Sequence, residues 1–392
     1  MSSLLEIKRI VKQNKDLLDI ISNYFDSNGI NAQQKLFNYI EMYAIDRRAS
    51  DFRKFIHIFY RFGMYYTRKP DFVTKIEQIF VYYKNTIKQF FKNKELFEFI
   101  RNRLMLLIMI QNEIIELNES IINLILTQKD SVFQKSLYFY PEIKPFISEE
   151  QRTKIENDLL QIDPEILTKF DEKRKIGEND GYLYSLIRKD SLKEFVICMH
   201  SNEIKATSIV KPSLFESNSF LYHYDNQTTL IEYAAYFGST KIFIYLFKKY
   251  AIRPKLLWDY ATHGRNPQII HFLEDNEILK DFTYQSCMEN AMKFYHNDIA
   301  NYILNNLLQD TIEDKYKYKK NIVCYAFHYL NFAFLSDDLS EKWVLHYACQ
   351  YNYPILVSLL LENKEININE QVIFKFLISI KFLLIENFKY NF

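Results

Sequence analysis

The sequence predicts an all-α chain: a helical N-terminal region followed by a helical-repeat solenoid. Three observations predict it. Apolar residues recur at intervals of three and four from Leu4 onwards. Strand signals are scarce, since Asn28-Gly29 and Asp180-Gly181 each lie beside a helical pattern and not between alternating runs. After residue 180 one two-helix pattern returns several times.

The helical region comes first. Leu36, Ile40, Tyr43 and Ala44 share one helix face. Pro70 suits a first helical turn, where its missing N–H would be unpaired anyway. Beyond it Phe72, Ile76, Ile79, Phe80, Tyr83, Ile87 and Phe90 form an apolar stripe, with Lys75, Glu77, Lys84 and Lys88 off it. A helix from Leu96 through Ile115 carries LMLLIMI, a core buried on several sides. Pro141 and Pro145 mark a break, and Asp163-Pro164-Glu165 predicts a helix start. The charged run DEKRKIGENDG at 171–181 reads as a linker, placing a domain boundary at 175/176.

The repeating region follows, over 176–370. LIEYAAYFGSTKIFIYLF at 230 is succeeded by LLWDYATHGRNPQIIHFLEDN at 256 and CMENAMKFYHNDIANYILNN at 287. A fainter copy, CYAFHYLNFAF, starts at 324, and a clear one, LHYACQYNYPILVSLLLENK, at 345. GYLYSLIRKDSLKEFVICMHSNE at 181 reads as a degenerate first unit. Each copy has a short helix with small residues at its centre, a tight turn and a second, apolar helix. Ala234 and Ala235 are small where helices approach, and Gly238 and Gly264 are expected to allow the turn's backbone angles. Ile242 with Leu246, Ile269 with Leu273, and Ile299 with Ile303 supply the packing of the second helices. Residues 371–392 form an apolar tail, expected to cap the array.

These units follow the ankyrin-repeat pattern of about 33 residues. Leu345 and His346 agree with the usual TPLH, Trp343 and Val344 depart from it, Glu232 stands in for the His at 229–232, and Ala326 to Ala348 is a short interval. TLIEYAAYFGSTKIFIYLF with LWDYATHGRNPQIIHFLEDN also resembles the divergent ankyrin-repeat proteins expanded in some protists, in which a segment of unknown function overlaps the first repeats. The resemblance implies a binding fold and no catalytic residue.

Charge and chemistry narrow the function. Fifty basic and 49 acidic residues leave a net charge of +1, without the basic excess that nucleic acid calls for. The Lys315–Lys320 run KYKYKK reads as a solvated loop. Six glycines, at 29, 63, 177, 181, 238 and 264, cannot form a P-loop or a GxGxxG turn, so no nucleotide cofactor is expected. Cys324, His328, His346 and Cys349 have ligand chemistry, but the repeat register assigns them structural places, and no metal is expected. The four cysteines lie far apart with no CxxC, and no apolar run reaches the roughly 18 residues of a membrane span. A cytoplasmic location follows.

The expected function is therefore a non-enzymatic scaffold that binds another protein through the inner face of the array. Tyr233, Tyr236, Asp259, His263, Glu289 and Tyr347 are its candidate contact residues. Two alternatives are a peripheral membrane adaptor using the apolar tail and an enzyme with its site in the N-terminal helices. No small-molecule substrate, nucleic acid or stable membrane insertion is expected.

Overall fold

The computed structural model describes residues 2–27, 29–66, 71–130, 133–222, 228–250, 254, 256–276, 284–308, 312–335 and 342–362. Among them the fold is all-α, apart from a two-residue antiparallel pair, Lys129–Asp130 with Phe133–Gln134, and an isolated antiparallel bridge between Ile209 and Thr229. The helices gather into two compact units. A discontinuous unit comprises Met1–Tyr43 with Thr283–Phe392, and a continuous unit comprises Ala44–Phe282. The expected boundary at 175/176 falls inside the continuous unit, and the expected cap at 371–392 lies outside the described residues.

The first half of the continuous unit packs around aromatic rings. Phe52, Phe55, Phe59 and Phe62 lie three or four residues apart on the Ala49–Tyr66 helix and are all buried. Their rings meet those of Phe80, Tyr83 and Phe90. The stripe from Phe72 to Ile87 is buried on the Phe72–Tyr82 and Lys84–Phe90 helices. Lys75, expected off that stripe, is buried too; it keeps its charge paired with Asp71 at 2.5 Å. The helix expected over 96–115 is two, Asn93–Phe99 and Arg103–Gln111. Asn102 makes the break, its side chain capping the Met105 N–H at 2.9 Å.

The charged run at 171–181 is a core element and not a linker. It opens with the Phe170–Ile176 helix, in which Arg174 is 1% exposed. Its guanidinium holds Glu142 at 2.6 and 3.0 Å, the Tyr138 carbonyl at 2.9 Å, and Asp171. Charged neighbours on both sides, Asp171, Glu172, Lys173 and Lys175, disguise one buried cation. The helix start expected at Pro164 is instead a turn, braced by the Asp163 carboxylate on the Glu165 N–H at 2.9 Å.

Among the described residues, helix pairs make up most of the rest. The continuous unit stacks three: Tyr182–Arg188 with Leu192–Ser201, Leu230–Phe237 with Thr240–Tyr250, and Leu257–Gly264 with Pro267–Asp275. First helices lie on first helices and second on second. The discontinuous unit has three more. Tyr284–Lys293 pairs with Asn297–Tyr302, Ile312–His328 with the 3₁₀ turn Phe332–Phe334, and Lys342–Gln350 with Pro354–Glu362. The lysine run expected as a loop is thus the start of the Ile312–His328 helix. Against the last pair lies the Ser2–Asp26 helix. Its Asn14 side chain accepts from the Phe332 N–H at 3.1 Å, and Lys15 donates to the Leu335 carbonyl at 3.3 Å.

All six pairs turn in the same way. Asp190, Gly238, Arg265, Tyr295, Leu330 and Asn352 each occupy the left-handed region, with φ from 48° to 69°. In five of the six, the next residue's N–H bonds the carbonyl five positions back, a Schellman closure: Ser191 to Leu186, Ser239 to Ala234, His296 to Ala291, Asn331 to Ala326 and Tyr353 to Ala348. Four residues before the turn stands a fully buried alanine, Ala234, Ala261, Ala291, Ala326 or Ala348, in five of six.

The residue after the turn also reaches back to the preceding pair. Ser239 Oγ donates to the Ile187 carbonyl at 2.5 Å, and Asn266 Nδ2 to the Gly238 carbonyl at 2.8 Å. Asn331 Nδ2 donates to the Met292 carbonyl at 3.0 Å, and the Tyr353 hydroxyl to the Phe327 carbonyl at 3.2 Å. These carbonyls end the preceding first helices, where the intrahelical ladder leaves acceptors over.

The two glycines of the second and third turns do different work. Gly238 has φ +69°, as the turn requires. At the next joint the left-handed residue is Arg265, and Gly264 is needed for proximity: a Cβ there would lie 2.2 Å from the Ala235 carbonyl oxygen of the neighbouring first helix. Gly264→Ala should therefore cost about 3 kcal/mol, because backbone must move, and Gly238→Ala about 1 kcal/mol, the ordinary left-handed penalty. Urea unfolding followed by circular dichroism ranks the two; equal losses would sink the close-approach account.

Candidate functional site

Counting back from each turn places the inner-face side chains in register. Five residues before it stand Tyr233, Tyr260, Tyr325 and Tyr347 in four pairs; two before it stand Arg188, Tyr236, His263, Lys293, His328 and Gln350. The recurring Tyr-Ala dipeptide is legible in the sequence once the turns are known.

In the continuous unit this face is covered by the chain itself. Residues 211–218 cross it as an irregular strap, and Ser213 through Asn218 are buried. Arg103 donates to the Leu214 and Glu216 carbonyls at 3.0 and 2.8 Å, and Asn102 to the Ser217 carbonyl at 3.1 Å. Asn179 Nδ2 donates to the Lys211 carbonyl at 2.9 Å. Just beyond the strap, the Phe220 ring lies on His263 (centroids 3.8 Å apart), Tyr260 (5.0 Å) and Tyr236 (5.8 Å).

The candidate contact residues of this unit are accordingly interior. Tyr233 is fully buried, its hydroxyl accepting from Arg188 at 2.7 Å. Tyr236 is buried with its hydroxyl against Asn218 Nδ2. Asp259 and His263 are buried as well. These four do not form an exposed contact face, because the strap and the neighbouring helices cover it. Tyrosine misleads here: the ring serves a core as well as a surface, and only burial distinguishes them.

In the discontinuous unit the same register is partly open. Tyr347 is buried, but Tyr325, Trp343, His346 and Tyr351 are half-buried and His328 is exposed. Glu289 is half-buried and accepts from the Tyr329 hydroxyl at 2.6 Å. The rings run on from one another: His328 to Tyr351 at 5.1 Å, Tyr351 to Tyr347 at 6.3 Å, Tyr347 to Trp343 at 6.3 Å. Lys320 lies 4.6 Å over Trp343. Burial pushes the Tyr325 and Tyr347 hydroxyls up to about 12 and the Cys349 thiol up to about 11. At neutral pH these groups are uncharged, suited to hydrogen bonding and stacking and not to proton transfer. Cys324 Sγ sits 3.4 Å from the Tyr351 hydroxyl, and among the described residues no three His, Cys, Asp or Glu side chains converge as metal ligands.

Sequence reasoning passed over Glu216, the strap's buried carboxylate. It accepts from the Asn218 N–H at 2.9 Å and the Asn179 N–H at 3.2 Å. Burial raises it to about 7, against the favourable pull of those N–H groups and of Arg188. Arg188 is itself shared among Glu178 at 2.9 Å, the Tyr233 hydroxyl and the Asn179 carbonyl.

With these geometries in view, no family model, curated protein or solved structure matches the chain.

The pH dependence follows from Glu216. Its folded value of about 7 lies above the ordinary 4.5, so the folded state holds the proton more tightly and loses stability as pH rises between the two. Above pH 7 the full penalty, at most about 3 kcal/mol, is present. Glu216→Gln should match wild type near pH 4.5 and surpass it progressively to pH 8. Parallel melting curves for the two proteins across that range would contradict this.

Proposed function

We propose that the chain is a non-enzymatic scaffold of stacked, ankyrin-type helix pairs that binds another protein in the cytoplasm. One observation carries the reading: six helix pairs turn at equivalent residues, five of them with a buried alanine four positions earlier. Pairs of this kind spend their apolar faces on their neighbours and leave a side open along the stack. The open inner face of the discontinuous unit is the surface we assign, with Tyr325, His328, Trp343 and Tyr351 as contact residues. Aromatic side chains with polar ends give large contact area at low entropy cost. The neutral tyrosines and thiol there suit recognition.

The test compares affinity capture by the wild-type chain with capture by a Tyr325→Ala, His328→Ala, Tyr351→Ala variant whose helicity and melting are unchanged. A captured protein should be lost with the variant, and its binding to purified wild type should saturate. An identical set of captured proteins would remove this face as the working surface.

A further inference from the structure

We infer that the inner face of the discontinuous unit takes an acidic–aromatic segment of a partner protein, the counterpart of the irregular strap that the chain lays across its own continuous unit. The inference rests on the scaffold reading and adds the chemistry of the occupant.

The two units present the same three-pair register. Turns at Asp190, Gly238 and Arg265 correspond in order to turns at Tyr295, Leu330 and Asn352. Counting two residues back matches Arg188 with Lys293, Tyr236 with His328, and His263 with Gln350. Counting five back from the third turn matches Tyr260 with Tyr347. In the continuous unit the occupant is visible. Its Glu216 carboxylate feels the positive charge of Arg188, and four residues on Phe220 lies against Tyr236, Tyr260 and His263.

The discontinuous unit offers the same sequence of chemistries: a cation at Lys293, then an aromatic floor at His328, Tyr347 and Tyr351. Where His263 is covered by Phe220, His328 and Gln350 are exposed. Lys319 and Lys320 add positive charge along the same first helices. A carboxylate is thereby favoured near one end and an aromatic ring at the other, the order in which Glu216 and Phe220 stand in the strap.

The probe is a fluorescein-labelled peptide copying residues 213–221, SLFESNSFL, titrated with the full chain by fluorescence anisotropy. Saturable binding is expected, weakened about tenfold by His328→Ala with Tyr351→Ala in the protein, and comparably by Phe220→Ala in the peptide. Lys293→Ala should reduce the loss caused by raised salt, and should weaken binding no further when the peptide carries Glu216→Gln. His328 and Tyr351 are open enough that melting curves should certify both variants as folded. No saturable binding, or binding that persists in the His328→Ala, Tyr351→Ala protein, would overturn the assignment. If the peptide fails while a captured protein still depends on this face, the scaffold reading survives and the acidic–aromatic occupant does not.

Discussion

Everything in the paired region depends on a turn that places one residue in the left-handed region directly after a short helix. That geometry closes the helix with a Schellman bond and frees the next side chain to point backward. Where it does so, it meets the acceptors that every helix leaves at its C-terminal end. Ser239, Asn266, Asn331 and Tyr353 meet that one requirement with three chemistries, a hydroxyl, a carboxamide and a phenol. Each bond contributes about 1 kcal/mol, and an unmet buried carbonyl costs more, so the register of one pair is tied to the next. The alanine four positions earlier serves the same end, since a larger side chain would hold the first helices apart.

A second constraint ties the paired region of the continuous unit to the helices before it. Arg103 and Asn102, at the start of a thoroughly apolar helix, donate to three carbonyls of the strap. The strap has few backbone partners of its own, so these side chains stand in for a ladder. A buried arginine with two carbonyl acceptors and a buried asparagine with one make a junction that neither side could satisfy alone. Residues 44–282 consequently form one compact unit, where the charged run suggested a linker.

Helical class and the pairing of short helices were readable because both rest on apolar periodicity and on alanine. The turn at Gly238 was readable for the same kind of reason, glycine being the residue that left-handed backbone favours. The other five turns use Asp, Arg, Tyr, Leu and Asn, and no single-residue signal announces them. Gly264 was misread because glycine answers two needs, backbone angle and proximity, that sequence does not separate. Arg174 and Lys75 were hidden by charge: each looks solvated until its carboxylate is seen, Glu142 from far along the chain for Arg174 and Asp71 one turn earlier for Lys75. The candidate site suffered most. Tyr233 and Tyr236 were chosen as surface residues, and the neighbouring helices and the strap made them core.

The Ser2–Asp26 helix lies against elements that begin at Phe332, so the first and last parts of the discontinuous unit are separated by the whole of the continuous one. During synthesis at ~5–20 residues per second, that helix leaves the ribosome roughly 15 to 60 s before its partners exist. Its buried face, with Ile7, Val11, Leu18, Ile21 and Phe25, must wait in contact with solvent, Ile30–Met42 or a chaperone. The continuous unit has no such delay and can fold as it emerges. Birth order and spatial order therefore disagree in this chain, and the earliest residues are among the last to find their place.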